Sequence, residues 1–413
     1  MSSFETKKLD ELCCFINGGA WSDKEYSSSG IPVLKVTNIS GNGFSLDTLS
    51  YLPLSLKEKY QQNELRLHDV IIATVGSHPN LVNSSAGRSV IVDDTVCGYY
   101  LNQNAVCIRT KDDSVLDQLY FGYYTNYYLF KNYIQMRGKG AANQMRIPIS
   151  AIKEYPMPLP PIDEQKKISG ILHNYDLLIN NYRKQISLLE ETAFRSFEVW
   201  FKKDTNLNDG SLSPNDNKEE VSILNSPYFS FVKSAVRPFE GEKTYYATAD
   251  VNGTYIVKDG VKVTYSNKPS RAQVVPSPNS VWFARMSNSY KILCFAKYNN
   301  SRREACILSS GFAGFESDYE CFAYMYCLIA SKWFDSQKDR YATGATQVSL
   351  TNDGLAKIKV SVPAKSLVLS FSKNMNPIIE SIIVLREACM KLIDSRNQLL
   401  PHLFSGELTS SSK

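Results

Sequence analysis

The sequence predicts an α+β chain arranged as globular domain, long helix, globular domain, long helix, with the two helices paired as an antiparallel coiled coil. Three observations lead there. The 413 residues align with themselves at an offset of 203, and a repeat decides architecture before any single motif does. Each copy closes on a helical stretch whose apolar residues alternate in steps of four and three, the period of a coiled-coil seam. Each of those stretches follows a segment of short β-type runs that ends at a proline.

The first domain is read over 1–160, with strand-like runs at 31–39, 69–75, 89–92 and 105–109 and a helix rich in Tyr and Phe over 115–136. It closes on Gly140-Ala141-Ala142-Asn143-Gln144 and on a short strand, Ile152-Lys153-Glu154-Tyr155-Pro156-Met157-Pro158-Leu159-Pro160. A long helix follows over 161–203, its seam formed by Ile168, Leu172, Tyr175, Ile179, Tyr182, Ile186, Leu189, Ala193 and Trp200, with Ser196 in the position before Trp200. At 1.5 Å per residue such a helix reaches roughly 60 Å. A polar stretch, 204–226, reads as a linker.

The second domain, 227–363, has strand-like runs at 244–251, 280–285 and 292–298 and a helix over 319–336. Gly344-Ala345-Thr346-Gln347 repeats the first glycine motif, and Gln347 lies sixteen residues before Pro363 as Gln144 does before Pro160. The C-terminal helix and tail take 364–413. Adding 203 to the first seam gives Phe371, Met375, Ile378, Ile382, Leu385, Cys389, Leu392, Arg396, Leu399 and Leu403, with Arg396 the one misfit. Pro377 would remove a backbone hydrogen bond, so this helix is expected to begin near Asn376 or to bend there, and Pro401 to mark fraying. Two helices that each carry an unsatisfied stripe most simply bury them against each other.

Composition fits this plan. Hydrophobic residues make up 43% and charged residues 21%, as in an ordinary globular protein, and ~150 residues per domain gives two or three domains. The longest apolar runs, such as 70–75, fall far short of the ~18 residues of a membrane span. No apolar core follows the charges of the N-terminus, so no signal peptide is expected. Nine cysteines, with Cys13 beside Cys14 and no C-x-x-C, argue against a disulfide framework or zinc knuckle and for free thiols in a reducing cytoplasm. The net charge of +5 is unevenly spread. No acidic residue occurs over 118–153, where Lys131, Arg137, Lys139, Arg146 and Lys153 stand, and 237–303 holds eleven basic and four acidic residues. Two anion-binding surfaces, with nucleic acid the first candidate, and a solvated charged surface are equally good readings of charge alone.

Catalytic patterns are missing. There is no Asn/Asp-Pro-Pro-Tyr/Phe loop, no glycine-rich cofactor turn and no phosphate-cradling G-x-x-x-x-G-K-[ST]. His68, His78, His173 and His402 show no metal-ligand spacing. Glu240-Gly241-Glu242-Lys243 reads as a charged loop rather than a nuclease motif.

At this point a family resemblance enters. Pro158-Leu159-Pro160-Pro161-Ile162-Asp163-Glu164-Gln165-Lys166-Lys167-Ile168 resembles the segment that opens the central conserved helix of type I restriction–modification specificity subunits. Leu399-Leu400-Pro401-His402-Leu403-Phe404-Ser405-Gly406-Glu407-Leu408 is similar to that family's C-terminal signature, and Ile31-Pro32-Val33-Leu34-Lys35-Val36-Thr37-Asn38-Ile39 to its usual opening strand. The second copy departs from the pattern, with Ala364-Lys365-Ser366-Leu367 in place of the Pro-Ile-Asp-Glu-Gln stretch. The resemblance implies a non-catalytic DNA reader with two target recognition domains, each reading one half of a split DNA sequence. It implies that the helix pair is a ruler and a docking surface for two methyltransferase subunits, with up to two restriction/translocase subunits joining the complex. No cofactor is expected on this chain: S-adenosylmethionine and ATP would belong to the partners, and methylation of adenine to the methyltransferases. The alternative is a stand-alone DNA-cleaving or DNA-modifying enzyme with a cryptic site; a third reading is a coiled-coil scaffold that reads no sequence.

Base reading needs basic and amide side chains on base edges, with further contacts to phosphate. Four loops offer them: Ser77, His78, Asn80 and Arg88 in the first; Arg137, Lys139, Asn143, Gln144 and Arg146 in the second; Arg285, Ser287, Asn288 and Lys291 in the third; Arg340, Thr346 and Gln347 in the fourth. Lys297, Arg302 and Arg303 are phosphate-contact candidates. For each the plain reading stands beside it: glycine-rich loops are common connectors, and Gln144 or Gln347 can cap backbone groups. Tyr120, Tyr123, Tyr124, Tyr127, Tyr128 and Tyr133 lie at near-helical spacing and read as packing residues.

Overall fold

The computed structural model describes residues 4–40, 43–46, 48–76, 85–141, 144–201, 220–233, 235–258, 260–297, 300–344 and 348–405. The chain divides into two compact units, Met1–Ile179 with Leu392–Lys413, and Asn180–Lys391. Each long helix contributes one part to each unit.

In the first unit an antiparallel sheet runs in the order Cys13–Asn17, Ala105–Thr110, Val70–Ala73, Ser89–Ile91. Side chains alternate across a strand, and here both faces are covered. Val70, Ile72, Val106 and Ile108 meet Tyr120, Phe121 and Phe130 of the helical layer, while Ile71, Ala105 and Cys107 meet Leu34, Ile39 and Leu65 on the other side. The run 31–39 is strand over Ile31–Leu34 and again at its end, where Ile39–Ser40 pairs with Gly43–Phe44. Asn38 then closes a turn, accepting from the Lys35 N–H at 2.9 Å and donating to the Ser45 and Thr48 carbonyls at 3.1 and 3.0 Å. The helix expected over 115–136 is two helices, Gln118–Tyr124 and Tyr128–Gln135. Thr125 breaks it by donating to the Gly122 carbonyl at 2.6 Å, with Ser89 Oγ hydrogen-bonded to its hydroxyl at 2.9 Å.

The second unit repeats this plan. Its antiparallel sheet runs Ser230–Phe231, Phe312–Glu316, Ser280–Ala284, Ile292–Phe295, the same order of first, last, second and third strand. A second sheet is ordered Val261–Val263, Lys243–Tyr246, Cys306–Ser309, Ala272–Val274. The run 244–251 also ends early, because Asp250 accepts from the Ala247 N–H at 2.8 Å and closes a turn. The helix expected over 319–336 is again split, into Phe322–Ile329 and Lys332–Tyr341. Ser331 makes the break, accepting from Phe334 N at 3.1 Å and donating to the Leu328 carbonyl at 2.7 Å. The stretch read as a linker is partly built into this unit: Glu220–Ser222 is a strand paired with Lys359–Ser361, as Glu5–Lys8 pairs with Pro156–Leu159 in the first unit. A polar composition does not prevent a strand whose backbone groups find an edge to pair with.

The long helices are Ile162–Phe201 and Lys365–Ser405. In the first unit Ile168 and Leu172 bury against Leu403, with Leu399 and Phe404 packed beside them. In the second, Ile186, Ala193, Phe197 and Phe201 bury with Val368, Phe371, Ile379, Ile382 and Cys389. In each unit the early part of one helix therefore lies with the late part of the other, an antiparallel pairing. The buried stripe leaves the expected seam at its end, taking Phe197 and Phe201 where Ser196 and Trp200 were expected. A straight helix of 3.6 residues per turn drifts across a strict seven-residue repeat.

Pro377 neither starts nor ends the second helix, which begins at Lys365. Its neighbourhood is held from outside. Asn376 accepts from the Ala323 N–H at 2.9 Å and donates to the Tyr319 carbonyl at 2.7 Å, and Ser372 Oγ accepts from the Tyr324 N–H at 3.4 Å. These amides open the helix Phe322–Ile329, whose first N–H groups have no partner within the helix. Gln165 does equivalent work in the first unit: it is fully buried, accepts from the Asp117 N–H at 3.0 Å and donates to the carbonyls of Val115 and Pro160 at 3.0 and 2.8 Å.

Two ion pairs lie within the helix packing. Arg396, the misfit of the apolar register, pairs with Asp176, which also accepts from Tyr123 Oη at 2.6 Å. Arg386 pairs with Glu190 and donates to Tyr326 Oη at 3.3 Å. Removing one partner of such a buried pair costs about 3–5 kcal/mol, whereas replacing both by apolar groups is often neutral. Arg386→Met is therefore expected to lower the unfolding free energy by that amount, and Glu190→Leu added to it to recover most of the loss. Equilibrium unfolding of the three variants checks this.

Candidate nucleic-acid interface

In the first unit the strands Lys139–Ala141 and Gln144–Arg146 pair with each other, and Gln144–Arg146 pairs with Val75–Gly76. Two of the sequence-predicted loops thus spring from one small sheet, because Gly76 stands opposite Met145. The register also sets Lys139 opposite Arg146. Both are exposed, and like charges on directly opposed positions repel; an anion laid across the sheet relieves that repulsion.

The second unit builds the same arrangement from single bridges. Thr343 and Ser349 exchange both backbone hydrogen bonds at 3.0 Å, Met286 bridges to Ser349, and the Ser287 N–H donates to the Val348 carbonyl at 3.0 Å. The order 343, 349, 286 matches 140, 145, 76 in the first unit.

The predicted cations divide into two groups. Arg88 is half-buried and its Nη1 donates to the Ile39 carbonyl at 2.6 Å. Arg285 donates from Nη1 to the Leu350 carbonyl and from Nη2 to Asn352 Oδ1, both at 2.8 Å. Lys291 Nζ donates to the Thr248 carbonyl at 2.7 Å. Burial pushes the pKa of all three down, and they act as struts that hold the loops in place. Lys131 is also pushed down by burial, with Arg88 adding to it, and Lys153 pairs with Asp10 at 2.9 Å. Arg137, Lys139, Arg146 and Arg340 are exposed and form no ion pair among the described residues.

Ser287 is half-buried in its bridge, and Asn288 adopts a left-handed backbone, φ 54°, with its N–H on Asp339 Oδ1 at 3.0 Å. Gln144 stands opposite Ala141 in its strand. Ser77, His78, Asn80, Asn143, Thr346 and Gln347 lie outside the described residues. Of the histidines, His68 and His173 come edge to face at 5.7 Å, a pairing their separation in sequence hides. Among the described residues no three His, Cys, Asp or Glu gather as metal ligands, and no helix is long and apolar enough to cross a membrane.

Residues 1–191 match the family model of the type I restriction modification DNA specificity domain. A protein named as the MjaX specificity subunit of a type I restriction enzyme in Methanocaldococcus jannaschii is 21% identical, over 98% of this chain and 93% of its own. The chain is similar to type I specificity subunits along nearly its whole length. The MjaIX specificity subunit of the same organism is 26% identical over 74% of this chain and 72% of its own. The crystal structure of the type I restriction-modification system S subunit from M. genitalium shares the fold, with a TM-score of 0.56 at 15% identity over 98% of this chain and 97% of that one.

The residues that sequence reasoning missed are those that hold the loops. Lys338 is buried, donates to the Ser289 carbonyl at 2.8 Å and pairs with Asp335 at 2.7 Å. Its spacing of three from Asp335 was the available signal. Tyr133, read as a packing residue, also carries the Arg137 guanidinium 3.4 Å above its ring. Lys139→Ala and Arg146→Ala are expected to leave the melting midpoint unchanged or slightly raised. Each should weaken duplex DNA binding by the complex and reduce the salt slope by about 1. Arg285→Ala should instead cost about 1–3 kcal/mol of stability, because it strands the Leu350 carbonyl. Salt-titrated binding and thermal melts separate the two classes.

Proposed function

We propose that this chain, a DNA sequence-specificity subunit, reads a two-part target with one unit per part, residues 1–160 and 227–363 serving as the two target recognition domains. The observation that carries this reading is the duplicated three-segment surface, 139–141 and 144–146 with 75–76, and 343 and 348–349 with 286–287. Each copy emerges from the end of a central strand and is braced by cations whose donors are already engaged. Exposed cations on a rigid sheet suit phosphate and base edges. The long helices bear exposed Leu177, Leu188, Val199 and Val384, and we assign to them the docking of two methyltransferase subunits. Restriction subunits complete the complex where the system cuts DNA. The chain itself is non-catalytic and works in the cytoplasm. S-adenosylmethionine and ATP belong to its partners. A stand-alone cutting or modifying enzyme gains no support from the relatives.

The test is a genome-wide map of methylated adenine in cells with and without the chain. A two-part motif with a fixed gap is expected in the first map and absent from the second. Methylation that persists unchanged after deletion overturns the proposal.

A further inference from the structure

We infer that Arg137 and Arg340 are the base-reading arginines of the two units, each addressing the major-groove edge of a guanine. The inference rests on the proposed function and adds to it the chemistry of one position in each half-site. The two residues stand 203 apart, the offset of the repeat itself. Each lies where a helix gives way to the candidate surface: Arg137 just after Tyr128–Gln135 and before the strand at Lys139, Arg340 at the end of Lys332–Tyr341 and before the bridge at Thr343. Both are exposed, and each guanidinium lies by a tyrosine ring, Arg137 at 3.4 Å from the centre of Tyr133 and Arg340 at 5.5 Å from that of Tyr341.

Arginine pairs with guanine O6 and N7 through two parallel N–H groups, the commonest specific contact to DNA. That contact needs a fork held in one plane with adjacent donors to spare. Arg88 and Arg285 point donors into the protein. Arg137 spends one of its five N–H donors, Nη1 on the Tyr133 carbonyl at 3.1 Å, and Arg340 makes no hydrogen bond among the described residues. The platform beneath Arg137 is itself fixed: Tyr133 Oη donates to the Glu154 carbonyl at 3.1 Å and its ring meets Tyr155 edge-on at 4.9 Å. Stacking restricts the long side chain before DNA arrives, so less freedom is lost on binding. A lysine at either place would keep the charge and lose the fork.

The experiment is the same methylated-adenine map, made with the intact complex carrying Arg137→Ala, Arg137→Lys, Arg340→Ala or Arg340→Lys. The wild-type motif is expected to hold a guanine in each half. Both Arg137 variants should relax one guanine in one half, and both Arg340 variants one guanine in the other, with discrimination falling about 5- to 150-fold. A uniform drop in methylation with the motif unchanged would make these arginines phosphate contacts and overturn the inference. So would relaxation of the same half by both, or a wild-type half-site lacking guanine. If an alanine variant abolishes methylation while the lysine variant keeps the full motif, charge alone is at work and the inference fails. A wild-type map without a chain-dependent two-part motif fails the proposed function instead.

Discussion

Two helices of 40 and 41 residues carry apolar stripes that water does not tolerate, and the polar residues set into those stripes fix how they can be buried. Asp176 meets Arg396 and Tyr123 in the first unit; Glu190 meets Arg386 and Thr254 in the second, where Arg386 also donates to Tyr326. A one-turn slip would still bury leucine against isoleucine, but it would leave four charges without partners in a desolvated seam. Desolvated charges are tolerated only with good geometry and further hydrogen bonds, so the ion pairs select one register among those the apolar residues permit.

From that register the rest of each unit follows outward. Gln165 places the start of Gln118–Tyr124, and Asn376 with Ser372 places the start of Phe322–Ile329. The helices so started cover the central sheets, turn at Thr125 and Ser331, and deliver their second segments to the hairpin surfaces. In the first unit the C-terminal end of the chain closes the packing: Phe404 meets the rings of Tyr120, Tyr124 and Tyr127 at 5.3, 5.1 and 5.5 Å. The tyrosine-rich stretch is thus an aromatic socket, edge-on to Phe404 at Tyr120 and Tyr124 and tilted at Tyr127.

The candidate interface shows how one residue type serves two ends. Arginines at positions 88 and 285 and the lysine at 291 reach backbone carbonyls and stiffen loops; those at 137, 139, 146 and 340 stay at the surface. A basic stretch read by charge alone merges both groups. What separates them is whether a carbonyl distant in sequence comes within reach once the chain has folded: Arg137 reaches only that of Tyr133, four positions back, whereas Arg285 reaches that of Leu350, 65 positions away.

The sequence by itself determined the tandem plan, the offset and the two long helices, because these depend on local periodicity and on a duplication that leaves its register in the residues. It also marked Arg396 as out of place without naming its partner. Tertiary structure decided the rest. It split both tyrosine-rich helices through Thr125 and Ser331, carried the second long helix through Pro377, and drew Glu220–Ser222 out of the linker into a sheet edge. It also paired Val75–Gly76 with Gln144–Arg146. Each of these outcomes hangs on a hydrogen-bond partner distant in sequence, and such partners are brought within reach only by the packing of the fold.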